Sequence, residues 1–366
     1  MKPKKANPDR SRNTDFSMID SIFSQPLLLE WLLRSVAISV LAMAGLRFLA
    51  RCSSSARCRF LLVVMGILLV LPLVMPFARW QVVLPFLGNS AAGNAGSHSV
   101  LDLLPLVLGV WLVGFVVWIV VLVVGMWRLN RVVATGSCLE KDSKWSGLLD
   151  ECCEEIGCRS RPRLVATESR SMPCAVGLLR PTVILPESAS EWSETRCRMV
   201  LLHELGHLVR GDLWLQWVSL IVRAVYWFNP AVWFLHRSLL AHREEACDAL
   251  VLATGAGPLE YARHLLEIAS SHRSASTLSP ALAMSGKCSQ PGQLELRIVQ
   301  LLGSRSQRPG RLAQWLGGIA ATGFAALVLG TALVAPVFTS GQEVSNAVWT
   351  EEEVDLRWGA QAFPGE

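Results

Sequence analysis

The chain has 366 residues, of which 52% are hydrophobic and only 17% are charged. This composition excludes a disordered protein, which has too little apolar surface to bury. It also argues against an ordinary soluble enzyme, because globular chains carry roughly 25% charged residues. The net charge of +5 is mild and lies largely in the first dozen residues, so a nucleic-acid groove with its dense basic stripe is not expected.

Four apolar segments are candidates for membrane-spanning helices, each of which needs about 20 mostly apolar residues. Segments 60–78, 103–126 and 312–337 contain no charged residue. Segment 27–50 is a weaker candidate, because charged side chains lie near both of its ends, and it forms either a span or a re-entrant or interfacial helix. A basic tail (residues 1–26) precedes these segments, and a short acidic tail (residues 338–366) follows them.

The arginine distribution predicts how these segments are oriented, because short cytoplasmic loops are enriched in Lys and Arg. Three arginines lie in residues 51–59, whereas residues 79–102 contain only one. Residues 128–311 are therefore expected on the cytoplasmic side of a multi-pass protein of the cell membrane. The basic tail would then be external if all four segments span, and this conflict disappears if the first segment does not span.

Residues 128–311 carry most of the charge and read as a small α+β domain. We expect a helix over 146–157, followed by short strands at 162–167, 174–179 and 182–185. A further helix is predicted from Ser188, which has Glu191 three residues later in a capping-box pattern, to about Arg210. Asp212 is expected to cap the next helix. Another long helix is predicted from Asn229-Pro230 to about Thr254.

The clearest chemical signal is His203-Glu204-Leu205-Gly206-His207, in the first of these long helices. Histidines at i and i+4 lie on one helical face, one turn apart, so a single Zn²⁺ ion can bind both. Glu204 lies beside them, where it can act as a general base toward a water molecule that the metal activates.

A catalytic zinc site uses three protein ligands and keeps one position open, so the third ligand has to come from another helix. The helix that follows offers Glu244 and Asp248, an i, i+4 pair. We predict Glu244 as the ligand and Asp248 as the acceptor for the other ring N–H of a zinc histidine. Glu245 points away from this face, and we expect it to be solvated or paired with an arginine.

Together these motifs resemble the BlaR/MecR family of membrane zinc metallopeptidases, which are gluzincin-like proteases. The resemblance covers about residues 27 to 335. It rests on the histidine motif with Arg210 and Asp212 and on the stretches Tyr226–Trp233, Arg243–Asp248, Pro173–Gly177, Arg180–Pro186, Ala281–Met284 and Leu296–Leu301.

This resemblance implies four transmembrane helices, with the protease domain between the third and the fourth on the cytoplasmic side. It implies one zinc ion on His203, His207 and Glu244, with Glu204 as the base. It also suggests that an edge strand pairs with an extended substrate by β-augmentation, and the alternative is an ordinary structural hairpin. The candidate strand residues are Ala175, Val176, Gly177 and Leu178.

One departure from the family concerns the sensor. Members carry a penicillin-binding domain after the last span, whereas only residues 338–366 follow it here. We therefore expect the stimulus to come from a partner protein, the tail or the membrane. A transcriptional repressor of the BlaI/MecI type is a guess for the substrate, a homodimer is an alternative partner, and no direct nucleic-acid contact is expected.

The leading functional hypothesis is a zinc endopeptidase in regulatory signalling. Alternatives are a membrane quality-control protease, which uses the same chemistry, and a non-catalytic receptor or scaffold that contains zinc. Intramembrane proteolysis is disfavoured, because charged residues closely flank the histidine motif and are costly in lipid. A second oxyanion donor is expected among Tyr261, His264 and Arg243.

Overall fold

The computed structural model describes residues 25–74, 80–83, 104–139, 143–167, 173–272, 291–303, 323 and 334–337. The described residues fall into two units. One lies within Met1–Arg34, Leu71–Leu108 and Leu327–Glu366, and the other lies within Ser35–Val70 and Gly109–Ala326. All of the predicted site residues belong to the second unit.

The described elements are mostly helices with a few short strands. In chain order the helices are α1 (Gln25–Phe48), α2 (Ser54–Val74), α3 (Leu104–Thr135), α4 (Ser143–Ile156), α5 (Glu194–Val209), α6 (Asp212–Val225), α7 (Pro230–Ala253), α8 (Pro258–His272) and α9 (Pro291–Gly303). The strands are β1 (Trp80–Val83), β2 (Ser137–Cys138), β3 (Arg163–Thr167), β4 (Cys174–Val176), β5 (Thr182–Pro186) and β6 (Val334–Val337).

Three of the described helices are long and apolar enough to cross a membrane. The candidate spans are Trp31–Phe48, Ser54–Val74 and Pro105–Thr135. Along α3 most of the apolar side chains are exposed, among them Val113 and Val123, as is usual for a helix that faces lipid. The prediction of a mainly α membrane protein with a small α+β portion is therefore confirmed in its coarse form.

Most of the predicted fourth span, 312–337, lies outside the described residues. Among its described residues Gly323 is helical, whereas at 334–337 the helix prediction is wrong. Val334–Val337 form strand β6, which pairs in parallel with Trp80–Val83 of β1. Val334 and Val337 fit a strand as well as a helix, because β-branched residues favour extended backbone, and Pro336 between them disfavours a helix.

The second unit contains a four-stranded sheet with the strand order β2-β3-β5-β4. Strands β3 and β5 are parallel, whereas β4 runs antiparallel to β5 with Ala175 opposite Val183. Strand β4 is therefore an edge strand. The turn that follows it needs glycine, because Gly177 has φ +87° and a Cβ there would lie 2.3 Å from the Arg180 carbonyl oxygen.

One apolar core joins this sheet to helices α4, α5, α7 and α8. Leu149, Val183, Leu201, Val251 and Tyr261 are buried within it. Burial of each large apolar side chain contributes roughly 1.5–3 kcal/mol to the stability of the fold. The core holds α5 and α7 side by side. Those two helices carry the predicted metal ligands, the predicted base Glu204 and Asp248.

Helix α5 begins later than the sequence predicts. Residues Glu187–Glu191 form a short 3-10 helix, and the N-cap of α5 is Ser193, whose hydroxyl accepts a hydrogen bond from the Arg196 amide. The predicted start at Ser188 with its capping box is therefore wrong. Ser188 and Ser193 were competing candidates for the cap, and the later one forms the cap that is observed.

The turn between α5 and α6 also differs from the prediction. Gly211, with φ +72°, is the residue before α6 and makes no side-chain cap. Asp212 is the first residue of α6 and is buried, so the prediction that it caps this helix is wrong. Its carboxylate instead contacts His207 of α5 and Arg210, the residue at the end of that helix. By contrast, Asn229 caps α7 as predicted and accepts a hydrogen bond from the Ala231 amide.

Helix α6 packs against α3. Leu220 and Ala224 are buried against Leu122, and the Trp111 indole N–H donates to the Val225 carbonyl oxygen at 3.0 Å. Helix α6 thus lies along a span-length helix.

Candidate metal centre

Two histidines of α5 and one glutamate of α7 meet in the interior. Glu244 Oε2 lies 3.3 Å from His203 Nε2, and Glu244 Oε1 lies 3.5 Å from His207 Nε2. All three residues are buried. One carboxylate therefore faces the Nε2 atoms of both imidazoles, with one oxygen toward each ring.

The ring nitrogens on the other side of each imidazole are held by acidic partners. His207 Nδ1 lies 2.9 Å from Asp212 Oδ2. His203 Nδ1 lies 3.2 Å from Asp248 Oδ1 and 2.9 Å from the Tyr261 hydroxyl. Partners of this kind keep the proton on Nδ1 and leave the Nε2 lone pair to a metal ion.

The geometry and donor set fit a metal ion. Among the described residues, His207 Nε2 is a buried nitrogen without a hydrogen-bond partner, which is costly unless something else binds it. Nε2 atoms of two histidines and a carboxylate form a usual donor set for zinc, and these atoms all lie within 4.8 Å of one another.

A second group within the same distance uses the other face of His207, with Asp212 and Cys247. Cys247 Sγ lies 3.2 Å from His207 Nδ1. Burial, together with the neighbouring Asp212 and Glu244, raises the pKa of the Cys247 thiol well above its usual value. In this second group His207 Nδ1 and Asp212 are already bound to each other at 2.9 Å, so it fits a metal less well than the Glu244 group does.

Charges around Glu244 keep it ionised. Burial alone would raise the pKa of Glu244, but the neighbouring His207 and His203 and two arginines hold it well below its usual value. Arg243 donates to Glu244 Oε1 at 3.1 Å, and Arg297 lies 3.3 Å from Oε2. Burial also lowers the pKa of His207, so this imidazole is neutral near pH 7, as a metal ligand must be.

Glu204, the predicted base, is buried next to the edge strand. Its Oε2 accepts a hydrogen bond from the Ala175 amide at 2.9 Å. That amide points away from β5, so the outer edge of β4 at Ala175 faces Glu204. Of the four predicted strand residues, Ala175 and Val176 lie in β4, whereas Gly177 and Leu178 belong to the turn that follows.

A small cavity of about 50 Å³ opens beside His203 and Glu204. Two of the three candidate oxyanion donors, Tyr261 and His264, are among its lining residues. The Tyr261 hydroxyl donates to Asp248 Oδ1 at 2.8 Å, so it is engaged in orienting that carboxylate. Arg243 instead contacts Glu244 and donates to Gln216 Oε1 at 2.6 Å.

Sequence reasoning did not assign two residues of this centre. Asp212 follows His207 by five positions and was expected only as a helix cap. Arg297 donates to both oxygens of Asp248, but it lies 49 residues further along the chain. In the sequence it stood out only as part of the stretch Leu296–Leu301, which contributes to the family resemblance.

The sequence model of the family described as BlaR1 peptidase M56 matches residues 28–301. The chain belongs to the peptidase M56 family. The matched stretch contains every residue of the centre described above, including Asp212 and Arg297.

Two curated relatives resemble this M56 chain. The regulatory protein BlaR1 of Bacillus licheniformis is 29% identical over 55% of this chain and 33% of its own length. The methicillin resistance mecR1 protein of Staphylococcus aureus (strain Mu50 / ATCC 700699) is 28% identical over 22% of this chain and 14% of its own length. The chain thus spans about a third or less of each relative.

Proposed function

We propose that this protein is a membrane-anchored zinc endopeptidase that acts in regulatory signalling. His203, His207 and Glu244 would hold one zinc ion, and Glu204 would be the general base. The observation that carries the proposal is the position of Glu244, whose two oxygens face the Nε2 atoms of both histidines at 3.3 and 3.5 Å. Membership of the M56 family supports the same assignment.

The residues around Glu204 fit peptide hydrolysis. When bound, zinc would polarise the scissile carbonyl and lower the pKa of water toward about 7. Glu204 takes a proton from water as the water oxygen attacks the carbonyl carbon. It then delivers the proton to the amine nitrogen as the C–N bond breaks. The Ala175 amide holds one oxygen of Glu204 at 2.9 Å, which fixes the plane of the carboxylate.

We propose the edge of β4 as the place where substrate lies. In an antiparallel pair the N–H and C=O of one residue point to the same side of the strand, so both backbone groups of Ala175 face away from β5. The Ala175 amide already donates to Glu204, so an extended peptide would pair with the Ala175 carbonyl oxygen and would pass directly beside Glu204. The edge position of β4 favours this role over that of a purely structural hairpin.

The topology that accompanies this function has four spans, with residues 128–311 as a cytoplasmic protease domain. Three candidate spans and the three arginines of residues 51–59 support this arrangement. The relatives named as a regulatory protein and a resistance protein favour a signalling role. A transcriptional repressor of the BlaI/MecI type is therefore the substrate that we would test first.

Substrate trapping tests the function directly. The Glu204→Gln variant is expressed in the native host, and proteins that co-purify with it but not with the wild type are identified. We expect a protein that purified wild type cleaves, with cleavage abolished by a zinc chelator and restored by added zinc. Cleavage that persists unchanged in the chelator, or in purified Glu204→Gln, would overturn the proposal.

A further inference from the structure

Arg297 of α9 reaches the acidic side of the metal centre, although the mechanism above gives it no role. Its Nε donates to Asp248 Oδ2 at 2.8 Å and its Nη2 donates to Asp248 Oδ1 at 2.6 Å. Its Nη1 lies 3.3 Å from Glu244 Oε2. One guanidinium, with only 14% of the side chain exposed, therefore touches both acidic residues of the i, i+4 pair on α7.

The two hydrogen bonds to Asp248 fix the orientation of that carboxylate. A guanidinium that binds both oxygens of a carboxylate holds the two groups in one plane. The same Asp248 Oδ1 lies 3.2 Å from His203 Nδ1. The orientation of the Asp248 carboxylate therefore determines where the His203 ring can point and which of its nitrogens carries the proton.

No second arginine among the described contacts duplicates this role. Arg243 also binds Glu244, and the second acceptor described for it is Gln216 rather than Asp248. Without Arg297, two ionised carboxylates one helical turn apart would remain buried with less positive charge between them. Such like charges repel strongly when they are shielded from water.

We propose that Arg297 is a positioning residue for the metal centre. Its guanidinium fixes Asp248, which orients His203, and it thereby sets how tightly the centre binds zinc. This inference rests on the proposed zinc function, but it concerns a residue that acts through Asp248 rather than as a ligand. Arginine is needed because lysine offers a point charge without the planar fork.

The test measures zinc affinity of the purified full chain by competition with a chromophoric chelator. The variants are Arg297→Gln, Arg297→Lys, Asp248→Asn and the double variant that combines Arg297→Gln with Asp248→Asn. The control is Arg263→Gln, because Arg263 pairs with Glu267 at 3.2 Å but is 79% exposed. Thermal unfolding of each variant checks folding. The double variant leaves neither Arg297 nor Asp248 as an unpaired buried charge, so it is expected to fold.

We expect Arg297→Gln and Arg297→Lys each to weaken zinc binding by roughly 10–100-fold, and Arg263→Gln to leave it unchanged. The double variant should lose little more than Asp248→Asn alone, because Arg297 acts through Asp248. At saturating zinc, kcat for a cleaved peptide should fall while KM stays the same.

Three results would overturn the role of Arg297. These are unchanged or tighter zinc binding by Arg297→Gln, full rescue by Arg297→Lys, and losses that multiply in the double variant. If Arg297→Gln does not fold, the comparison of the double variant with Asp248→Asn decides. A wild type that binds no zinc would instead overturn the zinc function itself, so the two failures are distinguishable.

Discussion

His207 and Asp212 form a buried pair across the turn between α5 and α6, with Nδ1 and Oδ2 2.9 Å apart. Burial alone would raise the pKa of Asp212, but the hydrogen bond with His207 and the charges of two arginines hold it below its usual value. An ionised Asp212 accepts the Nδ1 proton of His207. The Nε2 atom then points toward Glu244, so the pair orients His207 as Asp248 orients His203.

Asp212→Asn should therefore weaken zinc binding. The amide keeps the shape of the side chain but loses the charge that holds the Nδ1 proton, and we expect affinity to fall by roughly 10–100-fold. Chelator competition measures the change. Asp150→Asn is the matched control, because Asp150 also pairs with an arginine at 2.6 Å but is half exposed. Equal affinities of the two variants would show that Asp212 is not involved.

Glu204→Gln should retain zinc and lose turnover. Glutamine can still accept the hydrogen bond from the Ala175 amide, so the fold is preserved, but it cannot take a proton from water. We expect kcat to fall by roughly 10²–10⁴-fold at unchanged metal content. Glu191→Gln, at an exposed position before the same helix, is the control. Peptide cleavage by Glu204→Gln at the wild-type rate would refute its role as base.

Neighbouring glutamates on α7 offer a sharp comparison of ligand and non-ligand. Glu244→Gln should weaken zinc binding by more than the roughly 100-fold that is typical when a residue hydrogen-bonded to a ligand is replaced, because a neutral amide is a poor ligand. Glu245→Gln should keep it, since Glu245 faces His242 at 3.1 Å and Arg57 at 3.8 Å. Metal analysis of both variants after gel filtration distinguishes them, and zinc loss in Glu245→Gln alone would contradict the assignment.

His236 should make the fold sensitive to acid. Burial, followed by the charges of Arg223, Arg243 and Arg237, lowers the pKa of His236 to about 3, whereas in the unfolded chain it is about 6.5. Between these values the unfolded state binds more protons, so stability is fully present above about pH 6.5 and decreases as the pH falls toward 3. From pH 6.5 to 5 the loss is about 2 kcal/mol.

Denaturant unfolding, followed by tryptophan fluorescence at several pH values, measures this slope. His236→Asn keeps a donor for Ser219, which lies 3.1 Å from His236 Nδ1, and should flatten the slope. His242→Asn on the same helix should not. If His236→Asn and wild type lose stability in parallel between pH 6.5 and 5, this histidine is not the cause.

The sequence predicts those parts of the centre that follow a helical period. His203 and His207 lie one turn apart on one helix, and Glu244 and Asp248 lie one turn apart on another, so spacing alone placed each pair on one face and Glu204 beside the histidines. That the two faces meet depends on the core between α5 and α7, which periodicity does not describe.

Elsewhere local rules were insufficient. A glycine followed by aspartate reads as a helix cap, and only the packed structure shows that Asp212 turns inward to His207 and Arg210. Arg297 is separated from Asp248 by 49 residues, and no spacing rule connects an arginine on one helix to a carboxylate on another. Such partners become visible only when their distances are known.

The zinc ligands themselves are tested most directly by X-ray absorption spectroscopy at the zinc edge of the purified full chain. We predict nitrogen and oxygen neighbours only, at about 2.0–2.2 Å, with imidazole scattering that corresponds to two histidines. A sulfur neighbour at about 2.3 Å would contradict this prediction. It would place the metal on the Cys247 side of His207, away from Glu244.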